Sequence, residues 1–342
     1  MRFEFYHAGL DGVPKLSVDG IVSNSVHFSH WEGNQTPGEV KADTSTEIAL
    51  NLVASPNREK LTNGIELVTN NHFDTDGVLS VWTVLNGTRA LDLREKLIPA
   101  AEAGDFSEFR SEAAVRVSIV IQGSDQASPN GETGSPLAAF LSGQQIDDDA
   151  RAYEWVLPEV ERVLTNIGEY EQLWRSAWEQ VAVAIDSFER GASKVEEYED
   201  GHFSLITLAP EVFSSSGFNP TRHAAPYTAI SYYARGRLFL IATPVEKGWS
   251  YRIDYPYYSW AETVVRPHIE RRDLSTLMSN LNQVEQNHQG CWKLNNNEMT
   301  SAAKFLDESG TLAASKLRPD EVADLVREEF LKKRRGASSL TG

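Results

Sequence analysis

Residues 63–87, "NGIELVTNNHFDTDGVLSVWTVLNG", constrain the fold of this chain more than any other stretch. An apolar β-type run (63–71) ends in Asn70-Asn71. A polar, acidic turn follows, and an amphipathic helical run (77–87) is stopped by Asn86-Gly87. The same alternation surrounds it. "IVSNSVHFSHW" (21–31) is β-type, and 32–43 is a loop broken by Pro37 and Gly38. A helix over 44–55 opens with Thr44 and Glu47 in capping-box spacing. A further helix runs from 93 to Gly104, and the β-branched stretch 113–123 is expected to be a third strand. Strand–helix alternation of this kind builds an α/β domain, a doubly wound and mostly parallel sheet with helices on both faces, expected over 1–148.

The pattern then changes twice. After a Ser-, Gly- and Pro-rich loop at 124–136, residues 149–200 are expected to be a helical connector, restarted or kinked at Pro158. Beyond Gly201 come four turn-separated, strand-like runs, "HFSLITLAP", "APYTAISYY", "GRLFLIATP" and "WSYRIDYP", which suggest an antiparallel sheet. Helical runs follow at 259–272 and 273–287, and a last helix over 318–333 carries Pro319 in its first turn. Residues 201–342 are thus expected to form a smaller α+β domain that grips substrate. No internal repeat of fixed period is present.

Composition narrows the function classes. Of 342 residues, 41% are hydrophobic and 10% aromatic, enough for a real core. The single cysteine, Cys291, rules out an internal disulfide and suits a reducing compartment. No apolar run is long enough for a signal peptide or a membrane span, so a cytoplasmic protein is expected. The net charge of −17 disfavours duplex nucleic acid, whose binding needs Lys and Arg against phosphates. A small anionic substrate remains compatible, provided that a cation stands at the site. There is no glycine-rich dinucleotide loop, P-loop, G-x-S-x-G or H-E-x-x-H motif.

In a doubly wound sheet, ligands bind beyond the carboxyl ends of the strands, where "NHFDTDG" would lie. In an extended turn, His72, Asp74 and Asp76 share parity and can face one cation. Carboxylates with an imidazole suit a divalent ion, Mn²⁺ more than Mg²⁺, rather than a thiolate-bound structural zinc. The helix beginning at Gly77 adds free N–H groups suited to a phosphate or carboxylate. The competing reading is a capped turn, with one of the aspartates as N-cap.

"NHFDTDGVLS" resembles the opening His-x-Asp-x-Asp-Gly motif of the DHH family of metal-dependent phosphoesterases, with His72, Asp74, Asp76, Gly77 and Ser80 matching by position. The resemblance implies one or two Mn²⁺ or Mg²⁺ ions on the motif's histidine and aspartates, a water activated to attack phosphorus, and a second domain that grips substrate. The Asp-His-His triplet of that family is absent here, so further ligands must come from elsewhere. Asp105 and Asp92 follow the motif, while His30 and Asp43 precede it. The expected metal ligands are therefore His72, Asp74, Asp76 and Asp105, with Asp76 and His30 in catalytic roles. "FDTDGVL" also resembles the first motif of haloacid-dehalogenase-type phosphatases, which would make Asp74 a nucleophile. A relative that binds a nucleotide or metabolite without turnover is the third reading. Arg222 and His223, in the loop "NPTRHAAP", are expected to hold the substrate anion, with Arg235, Arg237 and Arg252 as further basic residues.

Overall fold

The computed structural model describes residues 1–125, 134–213, 225–294 and 302–337, with side chains to Leu331. It is a mixed α/β protein of two compact units. The first comprises Met1–Gln180 and Tyr257–His268, and the second Val181–Pro256 and Ile269–Gly342.

In the first unit, strands β1 (Arg2–Phe3), β2 (Lys15–Val18), β3 (Ser25–Phe28) and β4 (Leu67–Thr69) form a sheet in the order β1-β4-β2-β3. Every pairing is parallel, with Leu16 opposite Val68 and Val18 opposite Phe28. The strands are short, but Leu16, Val18, Phe28, Leu67 and Val68 are all buried. Even Lys15 is buried, its ammonium donating to the carbonyls of Leu10, Val13 and Asn24 at 2.8, 3.1 and 3.2 Å. β1 and β2 were not anticipated from sequence, because runs of two and four residues are too short to show periodicity.

Helix α1 (Ser45–Ala54) follows β3 and is capped by Thr44, whose Oγ1 accepts from the Glu47 N–H at 3.2 Å. The Glu47 carboxylate does not complete the expected box; Arg94 Nη2 holds it at 3.0 Å. After α2 (Arg58–Thr62) and β4 comes α3 (Thr75–Asn86), which starts two residues earlier than expected because Asp74 is its N-cap. Past α4 (Thr88–Asp92), α5 (Arg94–Phe106) runs through Gly104 rather than ending there. A side chain at Gly104 would meet Thr75 Cβ at 2.6 Å, so this glycine serves close helix approach rather than termination.

The third expected strand is instead α6 (Glu112–Gln122). Ser111 caps it through the Ala114 N–H at 3.2 Å, and burial of Val115, Ser118, Ile119, Val120 and Ile121 overrides their β propensity. α7 (Pro136–Ser142), α8 (Asp149–Val156) and α9 (Val160–Thr165) follow, with a 3₁₀ turn at Leu157–Glu159 where Pro158 was expected to interrupt. α10 (Glu171–Glu189) spans the boundary between the units.

Among the described residues of the second unit are six strands, β5 (Lys194–Tyr198), β6 (Phe203–Thr207), β7 (Phe239–Val245), β8 (Gly248–Asp254), β9 (Gly290–Leu294) and β10 (Ala303–Asp307), in the order β5-β6-β7-β8-β10-β9. This sheet is mixed rather than antiparallel, because β6 and β7 pair in parallel. "APYTAISYY" supplies a helix, Tyr227–Tyr233, not a strand. The expected helix over 259–272 is also absent. A 3₁₀ turn at Tyr257–Trp260 leads into irregular chain in the first unit, where the Asp43 carboxylate accepts the N–H groups of Val264, Val265 and Arg266. Backbone donors engaged by a side chain are withdrawn from helix formation. The helices Ser275–Val284 and Pro319–Ala337 complete the unit.

Candidate metal centre

Three strand ends of the parallel sheet and the ends of two helices converge. Asp19 stands directly after β2, His30 two residues after β3, and His72, Asp74 and Asp76 between β4 and the first turn of α3. Asp105 comes from the last turn of α5. These side chains make two groups whose ligand atoms lie within 4.8 Å of one another: Asp19, His30, Asp76 and Asp105, and Asp19, His72 and Asp74. Asp19 belongs to both. The "HFDTDG" stretch is thus divided, its aspartates facing different groups rather than one shared cation.

In the first group His30 Nε2 is 3.1 Å from Asp105 Oδ2, 3.6 Å from Asp19 Oδ1 and 3.8 Å from Asp76 Oδ2. In the second, His72 Nε2 is 2.8 Å from Asp19 Oδ2 and 3.0 Å from Asp74 Oδ2. Yet both Asp19 carboxylate oxygens and both Nε2 atoms are buried without a partner in hydrogen-bond geometry. Buried polar atoms are normally satisfied, so a set of convergent orphans of this chemistry fits the coordination of a cation. Asp and His donors without thiolate match the hard-to-borderline divalent ions, Mn²⁺, Mg²⁺ or Fe²⁺.

Four of the six side chains, His30, His72, Asp74 and Asp76, are oriented from behind. His30 Nδ1 lies 2.7 Å from the Asp43 carbonyl, which can only accept; Nδ1 therefore carries the proton, and Nε2 is the nitrogen turned to the carboxylates. Asp76 is held at the N-terminus of α1, where the N–H groups of Ser45 and Thr46 donate to Oδ2 and Oδ1, both at 2.7 Å. That helix end also favours a negative charge. Asp74 Oδ1 caps α3 through the Gly77 N–H at 2.7 Å, leaving Oδ2 for the second group. Tyr153 Oη accepts from Asn70 Nδ2 at 3.0 Å and donates to the His72 carbonyl at 3.1 Å, fixing the turn beneath the site. Gly20 is needed beside it, because a side chain there would overlap Asn70 and Asn71.

Carboxylates this close repel, and burial sharpens the effect. Burial, then the Asp19 charge, push the Asp76 carboxyl up to about 7. Burial, then Asp74 and Asp76, raise Asp105 well above its ordinary range. Burial opposes a charged His30, but the Asp105 carboxylate and the charges of Asp76 and Asp19 outweigh it and raise His30 to about 10. His72 is likewise raised against burial by Asp74 and Asp19. Asp19 alone is lowered, since His72 and His30 overcome its burial.

The other candidates have ordinary roles or lie elsewhere. Asp92 pairs with Arg89 at 3.4 Å on the surface. His27 Nδ1 accepts from the Gln35 N–H at 3.2 Å. Arg252 pairs with Asp254 at 2.5 Å. Arg222 and His223 lie outside the described residues. Asp19 was missed, although "KLSVDG" bears a readable signal: a short strand-like run ending in an Asp-Gly pair, the same pair that stands at Asp76-Gly77. Its φ of 65° is one that aspartate tolerates better than most residues.

The chain belongs to the family of unknown function DUF6687, whose model matches residues 3–337. No curated protein and no solved structure matches it. Among the described residues, no helix is long and apolar enough to cross a membrane.

Proposed function

We propose that this family member is a metal-dependent hydrolase that cleaves a phosphoester or phosphoanhydride in a small molecule or short oligonucleotide, and that the two groups sharing Asp19 would hold divalent metal. One observation carries the reading: the Asp19 carboxylate is fully buried, both its oxygens lack hydrogen bonds, and an imidazole Nε2 faces each of them. His30, Asp76 and Asp105 would complete one site, and His72 and Asp74 the other. Mn²⁺ is the favoured ion, given the two imidazoles among the carboxylates. Bound there, such ions supply Lewis acidity to a phosphoryl oxygen and to an attacking water.

The protein's part is preorganisation. Two ions of charge +2 balance the charges of Asp19, Asp74, Asp76 and Asp105, so an anionic substrate would meet a neutral rather than a strongly negative centre. Asp43, Ser45, Thr46 and Gly77 fix ligand directions through backbone groups. Asp74 is committed to the cap of α3 and to His72, which argues against its use as a phosphatase nucleophile. A non-catalytic relative would have little use for two groups joined by one carboxylate. The finer architecture, a doubly wound sheet, a helical connector and a substrate-gripping second domain, and a cytoplasmic setting consistent with a single free cysteine, belong to the same proposal.

Elemental analysis of purified protein after Mn²⁺ incubation, beside the Asp19→Asn variant, tests it, together with a panel of phosphomonoesters, phosphodiesters and nucleotides. The expected result is up to two Mn²⁺ per chain in wild type, marked loss in the variant, and hydrolysis only by metal-loaded wild type. Wild type that retains neither Mn²⁺ nor Mg²⁺ would overturn the reading.

A further inference from the structure

Two tryptophans stand against the two groups of the centre. Trp260 packs edge-on to His30 at 4.9 Å between ring centroids, and Trp31 lies 5.2 Å from His72. The indoles also meet each other, at 5.2 Å. The arrangement is fastened by chain far apart in sequence. The Glu262 N–H donates to the His30 carbonyl at 2.7 Å, and the Glu262 carboxylate accepts from the Gly33 N–H at 3.0 Å and from Asn34 Nδ2 at 2.8 Å. Asp43 and Arg266 pair at 2.8 Å just beyond.

Despite this packing, three donors are left over. Trp31 Nε1, Trp260 Nε1 and Ser259 Oγ are buried from water and have no hydrogen-bond partner. A buried indole N–H normally finds an acceptor, and leaving one without costs stability. The rings themselves are occupied, against each other and against two histidines, so base stacking is not what they have to offer. What they have unused is hydrogen-bond donation beside a candidate metal centre. Arg266 cannot fill that role, because Asp43, Glu102 and Glu108 already hold its guanidinium at 2.8, 2.6 and 2.8 Å. A way in exists on one side: the His72 and Asp74 side chains are each 16% exposed, whereas those of Asp19 and His30 are fully buried.

We infer that Trp31, Trp260 and Ser259 form the anion-recognition wall of the site, their N–H and O–H groups donating to the non-bridging oxygens of a phosphoryl group. This rests on the hydrolase reading above and deepens it: the recognised feature is the phosphoryl head rather than a ring or base attached to it. Neutral donors suit the role, since the centre with two ions is already balanced and a further fixed positive charge would hold the product phosphate.

The test uses full-length protein labelled with ¹⁵N-tryptophan. The chain has 8 tryptophans, so the indole N–H spectrum is simple, and Trp31→Phe and Trp260→Phe assign two of its signals while keeping an aromatic ring in place. Mg²⁺ uptake is measured first by calorimetry, and the loaded protein is then titrated with inorganic phosphate. The expected result is movement of the Trp31 and Trp260 signals on phosphate addition, with phosphate affinity falling roughly tenfold or more in each Phe variant and in Ser259→Ala while Mg²⁺ affinity is unchanged. Normal Mg²⁺ uptake with unmoved indole signals, or with unaltered phosphate affinity in all three variants, overturns the inference and leaves the metal reading standing. Absence of Mg²⁺ and Mn²⁺ uptake overturns both.

Discussion

Asp19 in the first unit and Glu285 in the second are both buried carboxylates, and their surroundings differ completely. Glu285 accepts from Ser315 Oγ at 2.5 Å and from the N–H groups of Asn287 and Lys316 at 2.9 and 3.0 Å. Asp254, also in the second unit, accepts from Arg252 Nε at 2.7 Å and from the Tyr255 N–H at 2.8 Å. These acids are enclosed by donors and serve as joints of the fold. Asp19 is enclosed by other carboxylates and by imidazole nitrogens, and no hydrogen bond reaches its oxygens. A buried acid satisfied by hydrogen-bond donors is a joint of the fold; one held by the charges of its neighbours, with oxygens that lack a partner in hydrogen-bond geometry, keeps those oxygens for a ligand.

Substituting Asp19 gives the largest expected effect. Asp19→Asn should remove Mn²⁺ uptake and reduce hydrolysis by more than the roughly 10–100-fold typical of outer-shell changes. Metal-free stability should fall at the same time, because the Asp19 carboxylate, lowered by His72 and His30 against its burial, is held favourably in the folded state. Loss of stability with metal uptake intact would erase the contrast with Glu285. Next comes Arg266, the satisfied counterpart within the same unit. Arg266→Met removes the shared partner of Asp43, Glu102 and Glu108, although Asp43 keeps the N–H groups of residues 264–266 and the two glutamates keep Arg110, and a denaturant titration should show a loss of up to about 3 kcal/mol; an unchanged midpoint would mean that these remaining partners already satisfy them. Glu285→Gln should lower stability by about 1–3 kcal/mol with normal Mn²⁺ binding. Metal loss in that variant would show that the two kinds of buried acid are not separable.

The smallest effect is in pH dependence. His30 is raised from 6.5 to about 10 and Asp76 from 3.8 to about 7, so between these limits the folded state holds more protons than the unfolded one. Stability of the metal-free protein therefore falls as pH rises. The Asp76 contribution is complete below 3.8 and lost by about 7, and that of His30 is complete below 6.5 and lost by about 10. Lowered Asp19 works in the opposite sense, but its effect is complete above 3.8 and leaves the slope beyond that unchanged. Thermal melts of chelator-treated protein from about pH 5 to 9 should show a declining Tm, and Mn²⁺ should flatten the decline by replacing protons. A Tm that climbs with pH without metal would contradict the charge balance described for the centre.

The local parts of this molecule were legible in its sequence. The strand–turn–helix at 63–87, the Thr44 cap and the chemical character of His72, Asp74 and Asp76 depend on neighbours a few residues away, and periodicity and capping report on such neighbours. His30 and Asp105 were readable as residues beside the turn, by strand end and by spacing. The tertiary structure alone decided the rest. It split Asp74 from Asp76, because Asp74 caps α3 while Asp76 turns to the N-terminus of α1. It made 113–123 a helix, where packing outweighed β propensity. It brought Trp260 to His30 and the 264–266 backbone to Asp43 across more than two hundred residues of chain. It also set Asp19 between the groups, through the placement of β2 between β4 and β3. Strand order is a sum of many non-local contacts, and a four-residue strand carries too little pattern to reveal which neighbours it will choose.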